Sequence, residues 1–426
     1  MNEKFIKNFE ELAINKNREI ILNIAETGLA SINTDEVILN SIKLEGDVLR
    51  IMGESFDLSK FKKIKVVGFG KASVDGALAL EKILGSRIAQ GAVIGLNKVT
   101  SKYIETFIGT HPRPSEMNIV AGKKIYEIIK DSTSDDLIIA LVSGGGSALL
   151  CSGEEECEQG IKLYDSFLKS GKTITEINTV RKHLSLLKGG NLAKVAYPAT
   201  IVSLIFSDVP GSRFEDVASG PTYKDETTIA DAQNIIDKYN LGNFVLLETP
   251  KEDKYFEKVH NFVLVSNKTS VEAMVKRGGS LGLQTKVVST ELYDEVGIAI
   301  SKIFSAKEDD AIIFAAGEPS IVVKTGEGKG GRNLHMGLLA LKNKMIDKNS
   351  VFISLASDGM DNSDIAGVII DKDTIENIEK LNLNINDYLE RFDSYNFFQK
   401  AGGMIRTGPT GANVSDLMIL LTKNNE

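Results

Sequence analysis

The chain has 426 residues, of which 42% are hydrophobic and 25% are charged, and its formal net charge at pH 7 is −8. This length predicts two or three domains of roughly 150 residues each, and the composition is typical of a globular protein with a substantial core. The negative charge argues against a general nucleic-acid-binding protein, which needs a basic surface.

The N-terminus reads MNEKFIKNFEEL, which carries charges throughout and lacks the apolar stretch of a secretory signal. No apolar run approaches the ~20 residues of a membrane span, so we expect no membrane association. The two cysteines, Cys151 and Cys157, match neither a zinc pattern nor a redox C-x-x-C pair, and we expect two unpaired thiols. Together these features predict a cytoplasmic protein.

Apolar positions recur at helical spacing over residues 5–31, which predicts one long or broken amphipathic helix. After it, short apolar runs alternate with helical patterns. The predicted strands are residues 64–67, 92–96, 137–142, 200–206, 262–265, 285–288, 311–316, 321–324, 351–356, 367–370 and 417–421. The predicted helices are residues 72–84, 117–130, 177–195, 227–239, 270–281, 291–305 and 334–342. This alternation predicts an α/β fold with parallel sheets covered on both faces.

The alternation of strands and helices weakens between residues 239 and 258, where the chain becomes charged and contains Pro250. A charged, proline-containing stretch of this kind is typical of a domain boundary. We therefore predict an N-terminal α/β domain over residues 1–245, which includes the N-terminal helix, and a C-terminal α/β domain over residues 246–426.

Several predicted strands are followed by segments rich in Gly, Ser and Asp, and in open α/β sheets ligands bind at the carboxyl ends of the strands. The first such segment, GFGKAS, presents Lys71 at the start of a helix. It is an incomplete dinucleotide fingerprint, because Ser73 stands in the place of the third glycine and no acid lies between Lys82 and Ile104 to bind a ribose. An exposed lysine on a structural turn is the alternative.

The second segment follows the predicted strand at 137–142 and offers backbone N–H groups and hydroxyls to a phosphate or carboxylate. It consists of Ser143, Gly144, Gly145, Gly146 and Ser147. A turn that needs positive φ is the alternative. In the next helical pattern, Arg181 is spaced to share a face with Ser185 and Lys188, so this face offers positive charge to an anion, although a solvated basic face would look the same.

Two acidic segments follow later strands. Asp208 comes directly after the strand at 200–206, where an acid can hold Mg²⁺ or accept a hydroxyl proton. SDGMDNSD, which contains Asp358 and Asp361, places three carboxylates within seven residues and suits a hard cation or nucleotide hydroxyls. An Asx-rich turn is the alternative. The last loop, RTGPTGANVSD, contains Asn413 and leads into the final strand.

Residues 311–333 form the most informative stretch, AIIFAAGEPSIVVKTGEGKGGRN. An apolar strand stops at Gly317 and Glu318, and a glycine-rich loop then precedes a helix with Lys329, Gly330, Gly331, Arg332 and Asn333. Glycines let backbone N–H groups approach an anion, a helix N-terminus adds a positive pole, and Lys and Arg add full charges. We predict a small-anion site with phosphate as the leading ligand, and a linker is the alternative.

Seven segments occur in the order seen in the class II glycerate kinases, and the chain resembles this family from about Val66 to Leu421. The segments are GFGKAS, SGGGSALL, INTVRKHLSLLKGGNLA, SDVPG with ASGPT, GEPS with GKGGRN, SDGMDNSD and TGPTGANVSDL. The resemblance implies two unequal α/β domains, the first Rossmann-like and the second of the MOFRL type, with an active-site cleft between them. It also implies ATP-dependent phosphorylation of D-glycerate, usually to 2-phosphoglycerate.

The resemblance further implies that Lys71 and Arg332 are the catalytic cations. We expect Asp208 to take the proton of the 2-hydroxyl, and Asp208, Glu318 and Asp358 are the candidate ligands of Mg²⁺. The loop at 143–147 and Arg181 are expected to hold the glycerate carboxylate or a phosphate. The residues expected to bind ATP are Gly317, Glu318, Lys329, Gly330, Gly331, Asn333, Asp358 and Asn413.

The sequence departs from the usual family pattern at a few positions, which bear on substrate detail more than on the type of reaction. They are Ser212 with Arg213, Leu334 with His335, Asn362 and Ala412. A hydroxypyruvate reductase and a non-catalytic sugar-phosphate-binding protein are the alternative functions. The expected partners are small molecules, and a homodimer is possible.

Overall fold

The structure is a computed structural model that describes residues 4–168, 174–209, 211–323 and 328–423. It forms two compact units. Unit 1 comprises Met1–Asn33, Pro210–Ser212 and Val265–Glu426, and unit 2 comprises Thr34–Val209 and Arg213–Leu264. The first residues of the chain are thus grouped with the C-terminal half, whereas the domain bounds 1–245 and 246–426 stay a prediction.

Two helices begin the described part of unit 1, α1 (Phe9–Leu12) and α2 (Lys16–Ala30). The side chain of Asn15 accepts the N–H of Arg18 and so caps α2. Apolar residues of α2 such as Ile21 are fully buried in the core of unit 1. The prediction of a broken amphipathic helix in this region is confirmed.

Unit 2 begins with helix α3 (Thr34–Ser41) and a small antiparallel sheet of β1 (Ile42–Glu45), β2 (Val48–Ile51) and β3 (Glu54–Asp57). The strands of its main sheet are β4 (Lys63–Phe69), β5 (Ile88–Gly95), β6 (Glu105–Ile108), β7 (Asp136–Ser143), β8 (Thr200–Phe206) and β9 (Val259–Val265). Their order is β6-β5-β4-β7-β8-β9, and β6 to β8 in this order pair in parallel. The predicted α/β fold with a parallel sheet is confirmed here.

The further helices of unit 2 are α4 (Ser73–Leu84), α5 (Glu116–Ile129), α6 (Gly146–Leu149), α7 (Glu154–Leu168), α8 (Ile174–Lys182), α9 (Asn191–Ala196) and α10 (Ile229–Tyr239). Two of them, α4 and α6, begin within four residues of the end of a strand and therefore start at the carboxyl edge of the sheet. The prediction of a single helix over residues 177–195 is wrong for the middle of this range, because α8 ends at Lys182 and α9 begins at Asn191. There the chain leaves the helix, and Gly189 and Gly190 adopt φ of 58° and 83°, which are left-handed values that glycine tolerates.

The sheet of unit 1 is mixed. Its strands are β10 (Gln284–Leu292), β11 (Ala311–Gly317), β12 (Ser350–Ala356), β13 (Gly367–Ile370), β14 (Met404–Ile405) and β15 (Asp416–Thr422), in the order β10-β11-β15-β12-β13-β14. Only β10 and β11 pair in parallel, and the other pairs are antiparallel. The prediction of a parallel sheet is therefore wrong for unit 1. A strand buried on both faces is apolar in either orientation, so its sequence does not report strand direction.

Both faces of this sheet are covered, as predicted. Ile312 and Ile313 are fully buried in two different clusters, one on each side of the sheet. One cluster includes α2 and the helix α11 (Asn267–Ser280), and the other includes helices that come later in the chain. The later helices of unit 1 are α12 (Val296–Ser305), α13 (Arg332–Lys342), α14 (Lys372–Lys380), α15 (Ile385–Glu390) and α16 (Ser394–Ala401).

Three further expectations have a definite outcome. The strand predicted at 321–324 is wrong for residues 321–323, which lie in no strand, and Lys324 falls outside the described residues. The expectation of unpaired thiols is also wrong, because Cys151 and Cys157 are joined in a disulfide. In the described part of the chain, no helix combines the length and the apolarity needed to cross a membrane.

Candidate active site

In unit 2, hydrogen bonds join the loop that follows β4 to the loop that follows β7. The N–H of Lys71 donates to the carbonyl oxygen of Gly144 at 2.9 Å, and the Ser143 hydroxyl accepts the N–H of Ala72 at 3.1 Å. Ser143 is buried, and its hydroxyl joins the two loops through this hydrogen bond. The structure thus brings the partly exposed Lys71 beside the glycine loop.

Asp208 reaches the same loop from the end of β8. A β-carbon placed on Gly144 would lie 2.0 Å from Oδ2 of Asp208, so only glycine leaves room for this carboxylate. Burial raises the pKa of Asp208, and the positive charge of Lys71 opposes that rise. An acid with a raised pKa beside a cation is suited to accept a proton during a reaction.

His111 also lies at this loop, although no role is predicted for it from the sequence. A β-carbon on Gly145 would lie 3.3 Å from Cδ2 of His111 and 3.3 Å from Cγ of Lys71. Burial of the ring, followed by the charges of Lys71 and Arg181, lowers the pKa of His111 to about 4. The residue as a whole remains exposed, so solvent screens part of this effect. His111 follows β6, a short strand without a clear sequence signal.

Arg181 lies in the last turn of α8 and is only partly exposed. Among the described residues, no carboxylate lies within salt-bridge distance of its guanidinium, and burial lowers the pKa of Arg181 to about 10. A cation that loses solvent without gaining a counter-charge is a candidate for binding an anion.

The basic helical face predicted from Arg181, Ser185 and Lys188 is not present, because α8 ends at Lys182. Lys188 instead forms a buried ion pair with Glu156 at 2.6 Å. The hydroxyl of Ser185 accepts the N–H of Lys188 at 3.2 Å. Of the three predicted residues, only Arg181 therefore keeps a charge that no described carboxylate balances.

A small cavity lies beside Arg181. It has about 30 Å³ of room for water and is lined by Pro112, Ser147, Cys151, Glu156, Arg181 and Lys188, among others. This is the space of about two water molecules. The hydroxyl of Ser147 is held at 2.9 Å from that of Ser219. Arg181 and the Ser147 hydroxyl group thus border the same small space.

In unit 1, three strand ends lie side by side. Gly317 at the end of β11 and Ala356 at the end of β12 both pair with Asp416 at the start of β15. The loops that begin or end at these residues therefore meet at one edge of the sheet. The glycine-rich loop, the SDGMDNSD segment and the final glycine loop are thus brought together although the sheet is mixed.

Arg332 is the first residue of α13 and binds two acids of its own unit. Its Nε donates to Oδ2 of Asp416 in a short contact, and its Nη2 lies 3.4 Å from Oδ1 of Asp416 and 3.3 Å from Oε1 of Glu318. Burial acts to lower the pKa of Arg332, but the charges of these carboxylates outweigh it and raise the pKa. Arg332 is therefore a fixed and fully charged group.

The N-terminus of α13 is occupied by Asp361. Its Oδ1 accepts the backbone N–H of Asn333 at 3.0 Å, and its Oδ2 accepts that of Leu334 at 2.8 Å. A carboxylate at this position satisfies the first free N–H groups of the helix and complements its positive pole. These N–H groups are the ones that the sequence assigns to a phosphate, so the geometry does not support a phosphate at this helix terminus.

The glycines before Arg332 pack against unit 1 itself. A β-carbon on Gly330 would lie 2.3 Å from Oγ of Ser394, and one on Gly331 would lie 2.2 Å from Oδ1 of Asp361. Larger residues would collide at both positions. Close packing within unit 1 therefore explains these glycines without a ligand.

Other predicted nucleotide-binding residues also make contacts within unit 1. The ammonium group of Lys329 lies 3.6 Å from the centre of the Tyr395 ring. Asp358 accepts the N–H of Met360 at 3.1 Å, and the Oδ1 of Asn413 accepts a backbone N–H at 3.1 Å. Asn333 is buried. Lys329 and Asp358 keep exposed surface, so these two are the better placed to reach a ligand.

Asp416 contacts Arg332 in the structure, although no role is predicted for it from the sequence. A signal was available, because Asp416 precedes an uninterrupted apolar strand. Ionised side chains are rarely fully buried without a partner, so an acid at the start of such a strand predicts a cation nearby.

In the described ranges, no three His, Cys, Asp or Glu side chains are grouped so as to hold a metal ion. Asp208 belongs to unit 2, whereas Glu318 and Asp358 belong to unit 1. Mg²⁺ commonly binds one or two carboxylates together with substrate phosphates and waters. The candidate residues therefore fit an ion that arrives with a phosphate ligand better than an ion held in a protein cage.

Known proteins share this chain's sequence and fold. A domain of unknown function (DUF4147) matches residues 20–246, and the MOFRL family matches residues 311–416. The chain is 33% identical to the Glycerate 2-kinase of Pyrococcus horikoshii, over 95% of this chain and 97% of that protein. It is 34% identical to a Putative hydroxypyruvate reductase of Agrobacterium vitis, over 84% and 86% of the two chains.

A solved structure extends this likeness to the fold. The crystal structure of Glycerate kinase from Thermotoga maritima matches with a TM-score of 0.83 and 29% identity, over 95% of this chain and 99% of that chain. Sequence and fold thus agree along nearly the whole length of both proteins. The chain belongs to the MOFRL family of class II glycerate kinases.

Proposed function

We propose that this protein is a glycerate 2-kinase, which transfers the γ-phosphoryl group of ATP to the 2-hydroxyl of D-glycerate and releases 2-phosphoglycerate and ADP. The observation that carries the proposal is the arrangement in unit 2, where Lys71 and Asp208 flank the glycine loop at the carboxyl ends of parallel strands. The identity of the substrate is inferred from relatives that are named glycerate 2-kinases.

Phosphoryl transfer depends on positioning and on stabilising the charge of the transferred group. Lys71 and Arg332 are the proposed catalytic cations. Asp416 and Glu318 hold the Arg332 guanidinium in one orientation, which favours a preorganised contact over a mobile one. Lys71 is placed by the hydrogen bond from its own N–H to the glycine loop.

Asp208 is the proposed base that takes the proton of the 2-hydroxyl when the oxygen attacks phosphorus. Its raised pKa makes it a better proton acceptor than an ordinary aspartate. The charge of Lys71 favours the ionised form of the carboxylate and so opposes the effect of burial on the pKa of Asp208. The two groups together suit a hydroxyl that must lose a proton near a phosphate.

Arg181 is the proposed partner of the glycerate carboxylate. Arg181 lines a small cavity with room for about two water molecules, and Ser147 adds a hydroxyl to its lining. A carboxylate there would supply the counter-charge that no described residue supplies. The binding of a carboxylate or phosphate, first expected of the whole 143–147 loop, is now proposed for its exposed part. Gly145 and Ser147 keep some exposure, whereas Ser143 is buried.

ATP and Mg²⁺ enter the proposal as one substrate complex, in which the ion neutralises phosphate charge. Asp208, Glu318 and Asp358 are the candidate carboxylates for the ion, and Lys329 and Asn413 are candidates for the nucleotide. A cytoplasmic location and a homodimer remain predictions.

A hydroxypyruvate reductase is the second candidate, because a relative from Agrobacterium vitis carries that name. A nicotinamide cofactor in this type of fold needs an acid for its ribose at the end of the second strand. Here β5 ends at Gly95 and is followed by Leu96, Asn97 and Lys98. The kinase function is therefore the better supported of the two.

The decisive experiment incubates the purified protein with ATP, Mg²⁺ and D-glycerate and identifies the product by ³¹P and ¹H NMR. We expect 2-phosphoglycerate and an equal amount of ADP. A 3-phosphoglycerate product would correct the position of transfer, and the absence of any phosphorylated product would refute the kinase function. Oxidation of NADH or NADPH by hydroxypyruvate in the same preparation would instead support the reductase.

A further inference from the structure

The loop between β6 and α5 carries His111, which has no role in the reaction proposed so far. The His111 ring and the aliphatic part of the Lys71 side chain both lie next to Gly145. A β-carbon on Gly145 would lie 3.5 Å from Nε2 of His111. Gly145 has φ of 78°, and it is partly exposed. The ring therefore lies where a ligand of the glycine loop would arrive.

Three different chemical groups of unit 2 thus surround one short loop. Arg181 is a cation without a described counter-charge, Asp208 is an acid with a raised pKa, and His111 is an imidazole. D-Glycerate also carries three polar groups, which are a carboxylate, a 2-hydroxyl and a 3-hydroxyl. The proposed function assigns the first to Arg181 and the second to Asp208, which leaves the 3-hydroxyl for the third group.

We propose that His111 binds the 3-hydroxyl of D-glycerate through a ring nitrogen. This contact makes the enzyme selective for acids that carry a second hydroxyl, on the carbon adjacent to the one that bears the reacting hydroxyl. This inference rests on the proposed kinase function, from which it takes the substrate.

The charge around the ring explains why its ligand is a hydroxyl. Burial of the ring, followed by the charges of Lys71 and Arg181, lowers the pKa of His111 to about 4, so the imidazole is neutral at pH 7. A neutral imidazole has one nitrogen that accepts and one that donates a hydrogen bond. A hydroxyl can serve either nitrogen, whereas the carboxylate is better matched by Arg181. His111 would therefore recognise a neutral group beside the anion site.

D-Lactate is the matched probe, because it has the carboxylate and the 2-hydroxyl of D-glycerate but lacks the 3-hydroxyl. We would measure KM for D-glycerate and the inhibition constant of D-lactate against D-glycerate. The wild-type protein and His111→Ala are compared, with His260→Ala as the control. His260 is another histidine of unit 2, and it is bonded to Glu54 at 2.9 Å.

We expect His111→Ala to raise KM for D-glycerate about tenfold, because the variant loses one hydrogen bond to the substrate. The inhibition constant of D-lactate should change less than twofold, and His260→Ala should change neither constant. If His111→Ala weakens both ligands equally, or neither, the inference is overturned. If the wild-type protein does not phosphorylate D-glycerate at all, the proposed function fails instead.

A binding measurement that needs no turnover gives a second readout. The chain has four histidines, and the ring signal that disappears in His111→Ala identifies His111 in the NMR spectrum. We expect D-glycerate to shift this signal more than D-lactate does. Equal shifts from both acids would show that the ring does not sense the 3-hydroxyl.

Discussion

Arg332 and Asp416 form an ion pair whose two members are unequally buried. The arginine donates to both oxygens of the aspartate, yet the Asp416 side chain is 2% exposed and the Arg332 side chain is 35% exposed. The aspartate thus depends on the arginine for its charge balance, whereas the arginine also has solvent and Glu318.

The unequal burial predicts that Arg332→Ala destabilises unit 1 more than Asp416→Asn does. The first change leaves a buried carboxylate without a counter-charge, which costs ~3 kcal/mol or more in the free energy of unfolding. The second leaves a partly solvated guanidinium, and we expect a loss of about 1 kcal/mol. Urea titrations followed by far-UV circular dichroism measure both, since the chain has no tryptophan to serve as a fluorescent reporter.

The control for this comparison is Lys302→Ala, which breaks an exposed pair with Asp294 in the same unit. We expect a change below ~0.5 kcal/mol there. Equal losses in Arg332→Ala and Asp416→Asn would contradict the proposed dependence of Asp416 on Arg332.

Lys71→Ala is expected to lower kcat for D-glycerate by ~10²–10³-fold, the effect of removing one preorganised charge from a transition state. The free energy of unfolding should change little, because the side chain is partly exposed. Steady-state kinetics at saturating ATP measures the loss. Lys62→Ala is the matched control, because Lys62 is an exposed lysine of unit 2 that pairs with Asp135. The kcat of the Lys62→Ala variant should equal that of the wild type.

Gly144→Ala should reduce activity by displacing Asp208. The new methyl group would lie 2.0 Å from the carboxylate oxygen, so Asp208 must move away from the loop. We expect kcat to fall at least ~10-fold, as happens when a reacting group is misplaced by about 1 Å. Gly153→Ala is the control, since nothing lies within 4 Å of its β-carbon position. Wild-type kcat in Gly144→Ala would exclude Asp208 as the base.

Asp361 makes the stability of unit 1 depend on pH. Burial, only partly offset by the N–H groups of Leu334 and Asn333, raises the pKa of Asp361 to about 6 from 3.8. Between these two pKa values the folded protein binds a proton that the unfolded chain does not. Lowering the pH from 7 to 5 should therefore stabilise the wild type relative to Asp361→Asn by about 1 kcal/mol.

Urea titrations of both proteins at pH 7 and pH 5 measure this difference, and titrations of Asp361→Asn alone subtract the contribution of the groups that do not interact with Asp361. A constant difference between the two proteins at both pH values would show that Asp361 has an ordinary pKa.

The sequence predicts the strands of the main sheet of unit 2 except β6, because a strand buried in a parallel sheet is a continuous apolar run. The strands of the small sheet, β1, β2 and β3, are not predicted. The segments after the predicted strands contain Lys71 and Asp208, and the rule that ligands bind at strand ends is enough to select them. His111 could not be selected in this way, since β6 is short and half-exposed and does not stand out from a loop.

Unit 1 is harder to predict from sequence for a different reason. Its glycines and its helix N-terminus have the composition of an anion site, but the partner that fills the helix terminus is Asp361, 28 residues away from Asn333 in the chain. Composition shows which groups are available for binding. It does not show that the protein's own carboxylate binds them, because that depends on tertiary contacts.

The position of β15 has a consequence for synthesis. It is the last described strand in chain order, yet it lies in the middle of the unit 1 sheet, between β11 and β12. While the ribosome makes the preceding residues, the facing edges of β11 and β12 have no partner, and unpaired strand edges favour aggregation. Arg332 likewise emerges long before Asp416, its counter-ion. A newly made chain can therefore complete the sheet of unit 1 only after β15 has been made.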